Sequence, residues 1–258
     1  MNLTLIIISW CVGIFVGLLL VSNIAYRLGK RNSHLAEASS ESAGAVIGAL
    51  FALLGLLLAF TFSGAYARYD ARRQLIVQEV NAIGTAYLRL DLLPQEAQTS
   101  LREDFRKYTY SRAACYEKIP QGKQEVFAEL ALTLELQHSI WTKAITTSSG
   151  PENQSARMLL IPALNEMIDI VTTRTVAIQT HPPLLIFMAL SLIALACAGM
   201  TNYRASTSDC YPFSYNIIFS LVISLILYLI LDIEFPRYGL IRLDDFNQLL
   251  ISLAKGMK

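Results

Sequence analysis

Residues 44–66, GAVIGALFALLGLLLAFTFSGAY, contain no charged side chain and decide how the rest of the chain is organised. As an α-helix, this stretch is long enough to cross a hydrocarbon core of about 30 Å. Charges follow it without a Gly-Pro break, and apolar residues continue at helical spacing at Ile76, Val80, Ile83, Tyr87 and Leu90. The pattern predicts a single helix over residues 44–93, which leaves the membrane and becomes the first helix of a water-exposed bundle.

The membrane part of this predicted helix has two unlike faces. Small residues recur on one face and let another helix approach closely. The packing positions predicted there are Gly44, Gly48, Gly55 and Ser63. The opposite face carries Leu50, Leu54, Leu57 and Thr61, and it continues into Arg68 and Arg72.

Two interpretations of these faces remain open. In the first, the small residues form a packing seam and the leucines contact lipid. In the second, the leucine and threonine face lines a narrow apolar pore that closes by dewetting, and the two arginines form a mouth whose positive charge favours anions.

Composition limits the class of protein. The chain has 258 residues, 54% of them apolar, and a mean hydropathy of +0.44, so it is too apolar for one soluble domain. A formal net charge of +1 without a basic arm argues against nucleic acid as a partner. The cysteines have no metal-ligand spacing, and a disulfide framework is not expected. They are Cys11, Cys115, Cys197 and Cys210.

Three further apolar runs complete four predicted membrane spans, at residues 3–25, 184–200 and 213–231. The first run has no basic start and no small-residue cleavage pattern, so a membrane helix is expected rather than a secretory signal. Three helical patterns joined by short turns lie between the second and third spans, at residues 95–119, 123–147 and 152–180. Short turns between helices are typical of an antiparallel bundle.

The sequence thus predicts an all-α integral membrane protein with four transmembrane helices and a helical bundle inserted between the second and the third. The predicted segments are residues 1–66 (two spans), 67–183 (bundle), 184–232 (two spans) and 233–258 (tail). An amphipathic part of the tail, residues 246–253, is expected either on the membrane interface or against the bundle. Lys and Arg near the membrane ends favour a cytoplasmic bundle with both termini on the same side.

No pattern in the sequence points to catalysis, a cofactor or a metal. A polar group on the last bundle helix, Asn165, Glu166 and Asp169, lacks the Glu-x-x-His pairs of metal-binding bundles. Its expected partner is one of three arginines, Arg89, Arg157 or Arg174. A second polar group ends the fourth span and is expected either to pair internally or to be functional. It consists of Asp232, Glu234, Arg237 and Arg242.

Several strings along nearly the whole chain resemble a bacterial membrane family described as bestrophin-like. The most specific is NAIGTAYLRLDLLP at residues 81–94. The others are LLAFTFSG (57–64), LNEMID (164–169), HPP (181–183) and PRYGLIR (236–242). The resemblance implies a protein of the bacterial plasma membrane.

Bestrophins are homopentameric anion channels with a hydrophobic neck on the second of four membrane helices. The resemblance therefore implies the lipid bilayer, further copies of the chain and small ions such as chloride as partners. It places the neck at Leu50, Leu54, Leu57 and Thr61 or at the rival face of Phe51, Leu58 and Phe62, and the mouth at Arg68 and Arg72. The run of acids that binds calcium in animal bestrophins is missing, so calcium gating is not implied.

Two functions are expected from these patterns. The first is an oligomeric ion channel, with anions favoured, whose pore is lined by the second helix. The alternative is a non-conducting oligomeric membrane scaffold or sensor whose bundle recruits a partner.

Overall fold

The computed structural model of this chain describes residues 3–32, 40–118, 123–207, 211 and 213–257, with the side chains of 40–43, 123–124 and 244–245 left undescribed. Outside these residues lie the predicted turn at residues 120–122, Cys210 and most of the polar stretch at residues 32–42 before the second span. The remaining cysteines, Cys11, Cys115 and Cys197, are buried free thiols.

Within the described ranges the chain forms eight α-helices, two short 3-10 helices and no strand. The α-helices are α1 (Leu3–Arg31), α2 (Ser40–Leu88), α3 (Gln95–Glu117), α4 (Lys123–Thr147), α5 (Gln154–Gln179), α6 (Leu184–Ala205), α7 (Phe213–Glu234) and α8 (Asp244–Gly256). The 3-10 helices are Arg89–Leu92 and Pro151–Asn153. This confirms the all-α prediction.

Helix α2 is continuous over 49 residues. At a rise of 1.5 Å per residue it is about 74 Å long, more than twice the thickness of a hydrocarbon core. Its regular turns end at Leu88, and Arg89–Leu92 tightens into a 3-10 helix before Pro94, since proline disfavours α conformation in the residue that precedes it. The predicted continuous second helix is confirmed.

Within the part of the chain that the structure describes, four stretches are long and apolar enough to cross a membrane, as predicted. They are Leu3–Arg31, Gly44–Leu92, Pro151–Ala205 and Phe213–Glu234. The second and third also include charged residues of the bundle, which lie outside their most apolar parts. The chain is therefore a membrane protein. In the sequence, two of its spans precede a polar insert and two follow it.

The chain divides into two compact units. The membrane unit comprises Met1–Ala67 and His181–Gly239, and the bundle unit comprises Arg68–Thr180 and Leu240–Lys258. The predicted tail is thus shared, because its first residues belong to the membrane unit and its helix α8 belongs to the bundle unit.

In the membrane unit, α1 packs against both α6 and α7. The Thr4 hydroxyl donates to the backbone oxygen of Tyr238 at 2.6 Å, which joins the beginning of α1 to the segment after α7. At the other end, the rings of Tyr26 and Tyr211 meet edge to face at 4.9 Å. Helices α1 and α7 are therefore antiparallel.

In the bundle unit, α2, α3, α4 and α5 share one apolar core. Its fully buried members include Ile83, Phe105, Ile140 and Leu160. Helix α8 packs against α3, and its residues Leu250 and Ala254 are completely buried. Of the two positions expected for the amphipathic tail, the structure has the one against the bundle.

Candidate functional site

The membrane half of α2 has a covered face and an open face within one chain. The covered face contains Leu50, Phe51, Leu54, Leu57, Leu58, Thr61 and Ala65, all buried or half-buried. The open face contains Ala45, Ala49, Ala52, Leu56, Phe60 and Ser63, all exposed. Two large side chains on the open face, Leu56 and Phe60, are 52% and 66% exposed.

The residues predicted to line a pore lie on the covered face. Leu54 is only 2% exposed, and the Thr61 hydroxyl donates to the backbone oxygen of Leu57 in its own helix at 2.7 Å. The neighbouring Phe51 ring meets Phe219 of α7 at 5.6 Å. In a single chain this face contacts the chain's own helices, and a lining by these residues stays a prediction.

The small residues predicted for packing are mostly uncovered. A Cβ added at Gly48 or Gly55 would have no neighbour within 4 Å, and Ser63 is exposed. Only Gly44 has a close neighbour among these positions, since a Cβ there would lie 2.6 Å from Nη1 of Arg204. Within one chain, therefore, Gly44 is the one of these four residues that packs closely against another helix.

The two arginines predicted for a pore mouth are partly or wholly covered. Arg68 is half-buried, and Arg72 is 5% exposed. The Arg72 guanidinium donates to the backbone oxygens of Ala177 at 3.0 Å and Thr180 at 2.9 Å. These carbonyls end α5, where the helix dipole favours a positive charge. Arg72 therefore caps α5 rather than standing in open solvent.

A buried ion cluster joins α2, α3 and α5 in the bundle unit. Glu79 is 0% exposed, Arg112 1% and Arg174 2%. Arg112 donates from Nε to Oε1 of Glu79 at 2.6 Å, and Arg174 donates to Oε2 of the same carboxylate. The Tyr116 ring lies 3.7 Å from the Arg174 guanidinium, and its hydroxyl donates to Oε2 at 3.4 Å.

The electrostatics of this cluster hold its groups in one charge state. Burial opposes the charge of Arg112, but Tyr116 and Glu79 together raise the pKa of its guanidinium above the ordinary value. Burial likewise raises the pKa of the Tyr108 hydroxyl next to the cluster. Burial alone would raise the pKa of Glu79, but the neighbouring Arg112 and Arg174 guanidiniums lower it below its ordinary value. The carboxylate therefore stays ionised, and the cluster ties α2, α3 and α5 together.

The sequence-based pairing of Arg174 with the Asn165 group is wrong, because Arg174 binds Glu79 instead. A signal for this cluster was present in the sequence. Glu79 falls between Ile76 and Ile83 on the apolar stripe of α2, where a carboxylate must find a buried partner.

The polar group of α5 lies on the surface, where Asn165, Glu166 and Asp169 are exposed. Together with residues of α2 they line a cavity of about 590 Å³. The α2 residues are Gln78, Asn81 and Ala82. Arg89, the second expected partner, donates to the backbone oxygen of Leu159. The described residues contain no group of three or more His, Cys, Asp or Glu able to hold a metal.

The acidic end of α7 is buried in the membrane unit. Asp232 is 2% exposed and Glu234 0%. Nδ1 of His181 lies 2.9 Å from Oε1 of Glu234, and the Tyr228 hydroxyl bonds to Asp232. The Asp232 carboxylate also fills the space that a Cβ at Gly239 would need. The second polar group was expected either to pair internally or to be functional, and Glu234 pairs with His181. Nothing in the sequence indicated that His181 belongs to this group.

Comparison with known proteins identifies the family. The Bestrophin-like domain family matches residues 12–245, whereas no curated protein matches the sequence. The fold is similar to that of a bacterial bestrophin homolog from Klebsiella pneumoniae.

One substituted variant of that homolog has a TM-score of 0.71 at 15% identity, over 97% of this chain and 96% of the other. A second variant has a TM-score of 0.70 at 16% identity, over 96% and 97%. The form solved by Zn-SAD phasing has a TM-score of 0.67 at 16% identity, over 95% and 96%. At such identities the likeness shows a common fold, and the family match confirms the resemblance found in the sequence. The chain belongs to the Bestrophin-like family.

Proposed function

We propose that copies of this chain assemble around an axis in the membrane and let small ions pass along it, with α2 lining the path. The observation that carries the proposal is the open face of α2. A helix at the centre of an assembly needs one face for its own chain and another for the axis. In the membrane half of α2, the face that contacts its own chain and the open face are on opposite sides of the helix.

The chemistry of the open face suits such a path. Alanines and Ser63 keep most of it narrow in profile, so copies of the helix can approach one another. Leu56 and Phe60 are two of its bulky apolar side chains, and Leu53, three positions before Leu56, is exposed as well. Rings of these side chains would form a constriction that excludes water when narrow and conducts when widened.

The family resemblance suggests five copies and a small anion such as chloride as the permeating ion. It also suggests the bacterial inner membrane, and the distribution of Lys and Arg favours a cytoplasmic bundle with both termini on that side. A lining by Leu50, Leu54, Leu57 and Thr61 is the rival proposal. It requires α2 to turn by about half a revolution on assembly, because the axis must then meet the face that one chain now covers.

The test is chloride flux into liposomes that contain the purified protein. Leu56→Ala and Phe60→Ala should each raise the flux by widening the constriction. Leu185→Ala is the matched control, since Leu185 on α6 is 72% exposed and lies outside α2. No flux from correctly inserted oligomers would overturn the channel proposal.

Leu54→Ala distinguishes the two linings in the same assay. If the open face lines the path, this variant should lose stability because of a cavity and leave the flux per folded oligomer unchanged. A flux raised by Leu54→Ala but not by Leu56→Ala would favour the rival face.

A non-conducting scaffold or sensor is the second candidate, and one observation supports it. On α4 of the bundle unit, Phe127 is 66% exposed and Leu134 is 62% exposed. The two lie seven positions apart on one side of the helix. Apolar side chains exposed in this way suit a docking partner. Intact, correctly inserted oligomers without flux would leave this candidate in place.

A further inference from the structure

Helix α7 carries a polar side chain at every fourth position through its membrane span. The row, here called the α7 polar row, consists of Asn216, Ser220, Ser224, Tyr228 and Asp232. Tyr228 is half-buried, and the others are between 0% and 8% exposed. Between Asn216 and Asp232, all residues of the helix outside the row are apolar. The row is therefore the polar part of an otherwise apolar span.

The row crosses most of the membrane. Its two ends are sixteen positions apart, which corresponds to about 24 Å along an α-helix. A hydrocarbon core is about 30 Å thick. Polar groups that lie inside a span, turned away from lipid, are typical of ion and proton routes.

Among the described residues, three buried hydroxyls of the membrane unit have no hydrogen-bond partner. They belong to Ser220 and Ser224 of α7 and to Ser22 of α1. Helical serines and threonines commonly bond back to the carbonyl four residues earlier. Thr61 and Ser191 do so, at 2.7 and 2.8 Å. Solvent does not reach these three oxygen atoms in the structure, so a partner other than their own backbone reaches them only when neighbouring side chains move.

Water fits the spacing of these groups. Four residues of α-helix rise by about 6 Å, and two hydrogen bonds of about 2.8 Å in sequence span nearly that distance. One water molecule can thus bridge Asn216 to Ser220 and Ser220 to Ser224. Buried water needs two to four polar partners, and consecutive members of the row provide two.

Both ends of the row are fixed by polar pairs. At one end, the amides of Asn216 and Asn202 bond to each other in both directions, at 2.9 and 2.8 Å. At the other end, the Tyr228 hydroxyl bonds to Asp232. The titratable groups near that end are Cys11 on α1, close to Tyr228, and the His181–Glu234 pair, with the buried Arg237 following in the chain.

We propose that the seam between α1 and α7 holds a file of water molecules that carries protons between the Asn216 end and Asp232. Each water or hydroxyl accepts one proton and passes another to its neighbour. One proton taken up at one end is matched by one released at the other, and no redox partner is needed.

The proposal is independent of the axial path, since it concerns the interior of each subunit. The test uses the purified full chain in liposomes loaded with a pH-sensitive dye, with potassium and valinomycin to balance charge. After an external acid step, the wild-type protein should acidify the lumen faster than empty liposomes. Ser220→Ala, Ser224→Ala and Asp232→Asn should each reduce the rate to that of empty liposomes.

Ser191→Ala is the matched control, because Ser191 is also buried but its hydroxyl bonds to its own helix at the Phe187 oxygen. It should conduct protons like the wild type. Size-exclusion chromatography checks that each variant is folded, and the two serine variants give separate chances of a folded one. Proton flux in Ser220→Ala and Ser224→Ala equal to the wild type, or no flux in the wild type, would overturn the proposal.

The chloride assay keeps this proposal separate from the axial one. Ser220→Ala should leave chloride flux unchanged, and Leu56→Ala should leave proton flux unchanged. Proton flux without chloride flux would retain the water file and remove the channel. The opposite result would do the reverse.

Discussion

Glu79 of the bundle unit and Ser220 of the membrane unit are both 0% exposed, but only the first is satisfied by the protein. Both oxygens of Glu79 accept hydrogen bonds from Arg112, Arg174 and Tyr116. The Ser220 hydroxyl has no partner in the chain. A polar group with a complete set of fixed partners holds helices in place. A buried polar group without fixed partners needs a mobile partner such as water. This contrast separates a group that stabilises the fold from one that can take part in proton transfer.

The largest effect is expected for Glu79→Gln. The substitution leaves two buried guanidinium charges without a carboxylate, and breaking a buried pair in this way costs about 3–5 kcal/mol of unfolding free energy. Thermal unfolding of the detergent-solubilised protein, followed by circular dichroism, measures the loss.

Asp91→Asn is the control for Glu79→Gln. Asp91 also pairs with an arginine, Arg102, but its side chain is 59% exposed. An exposed pair contributes about 0–1 kcal/mol. Equal melting of the two variants would show that the buried cluster does not tie the helices together.

A smaller loss is expected for Gly239→Ala. The new Cβ would overlap the Asp232 carboxylate, and overpacking of this kind costs about 1–3 kcal/mol. Gly256→Ala is the control, because a Cβ at Gly256 has no neighbour within 4 Å. Thermal unfolding should place Gly239→Ala clearly below Gly256→Ala. If both variants unfold with the wild type, the Asp232 carboxylate moves freely and does not anchor the end of the α7 polar row.

Features that depend on neighbouring residues could be predicted from the sequence. Apolar spacing revealed the continuous α2, and the amphipathic tail gave the position of α8 as one of two alternatives. Such patterns indicate where a helix lies and which of its faces is apolar, because they arise within a few turns of one segment.

Features that depend on distant residues could not be predicted. Which face of α2 is covered in one chain follows from the packing of helices far along the chain, and the pore lining predicted at Leu54 stays a prediction. Arg174 and its true partner Glu79 are 95 positions apart, and His181 is 53 positions from Glu234. One sequence holds no signal for pairing at such separations, although the buried register of Glu79 shows that some partner was required.

The α7 polar row lies between these cases, because its four-residue period is visible in the sequence and its burial is not. Packing of α1 against α7 is what buries much of this polar stripe within the chain. This burial also removes lipid and bulk water as partners for the hydroxyls.

The smallest expected effect, and the sharpest, is the change in stability caused by Ser220→Ala. If water bonds to the hydroxyl, its removal should lower the unfolding free energy by about 0.5–1.5 kcal/mol, the net value of a typical hydrogen bond. If the seam is dry, the same substitution removes a buried polar group without a partner, and stability should rise. Ser191→Ala again provides the reference, because it deletes a hydroxyl bonded only to its own helix. The sign of the change relative to the wild type in thermal unfolding thus decides whether the seam is wet, and a Ser220→Ala protein more stable than the wild type would contradict the water file before any flux is measured.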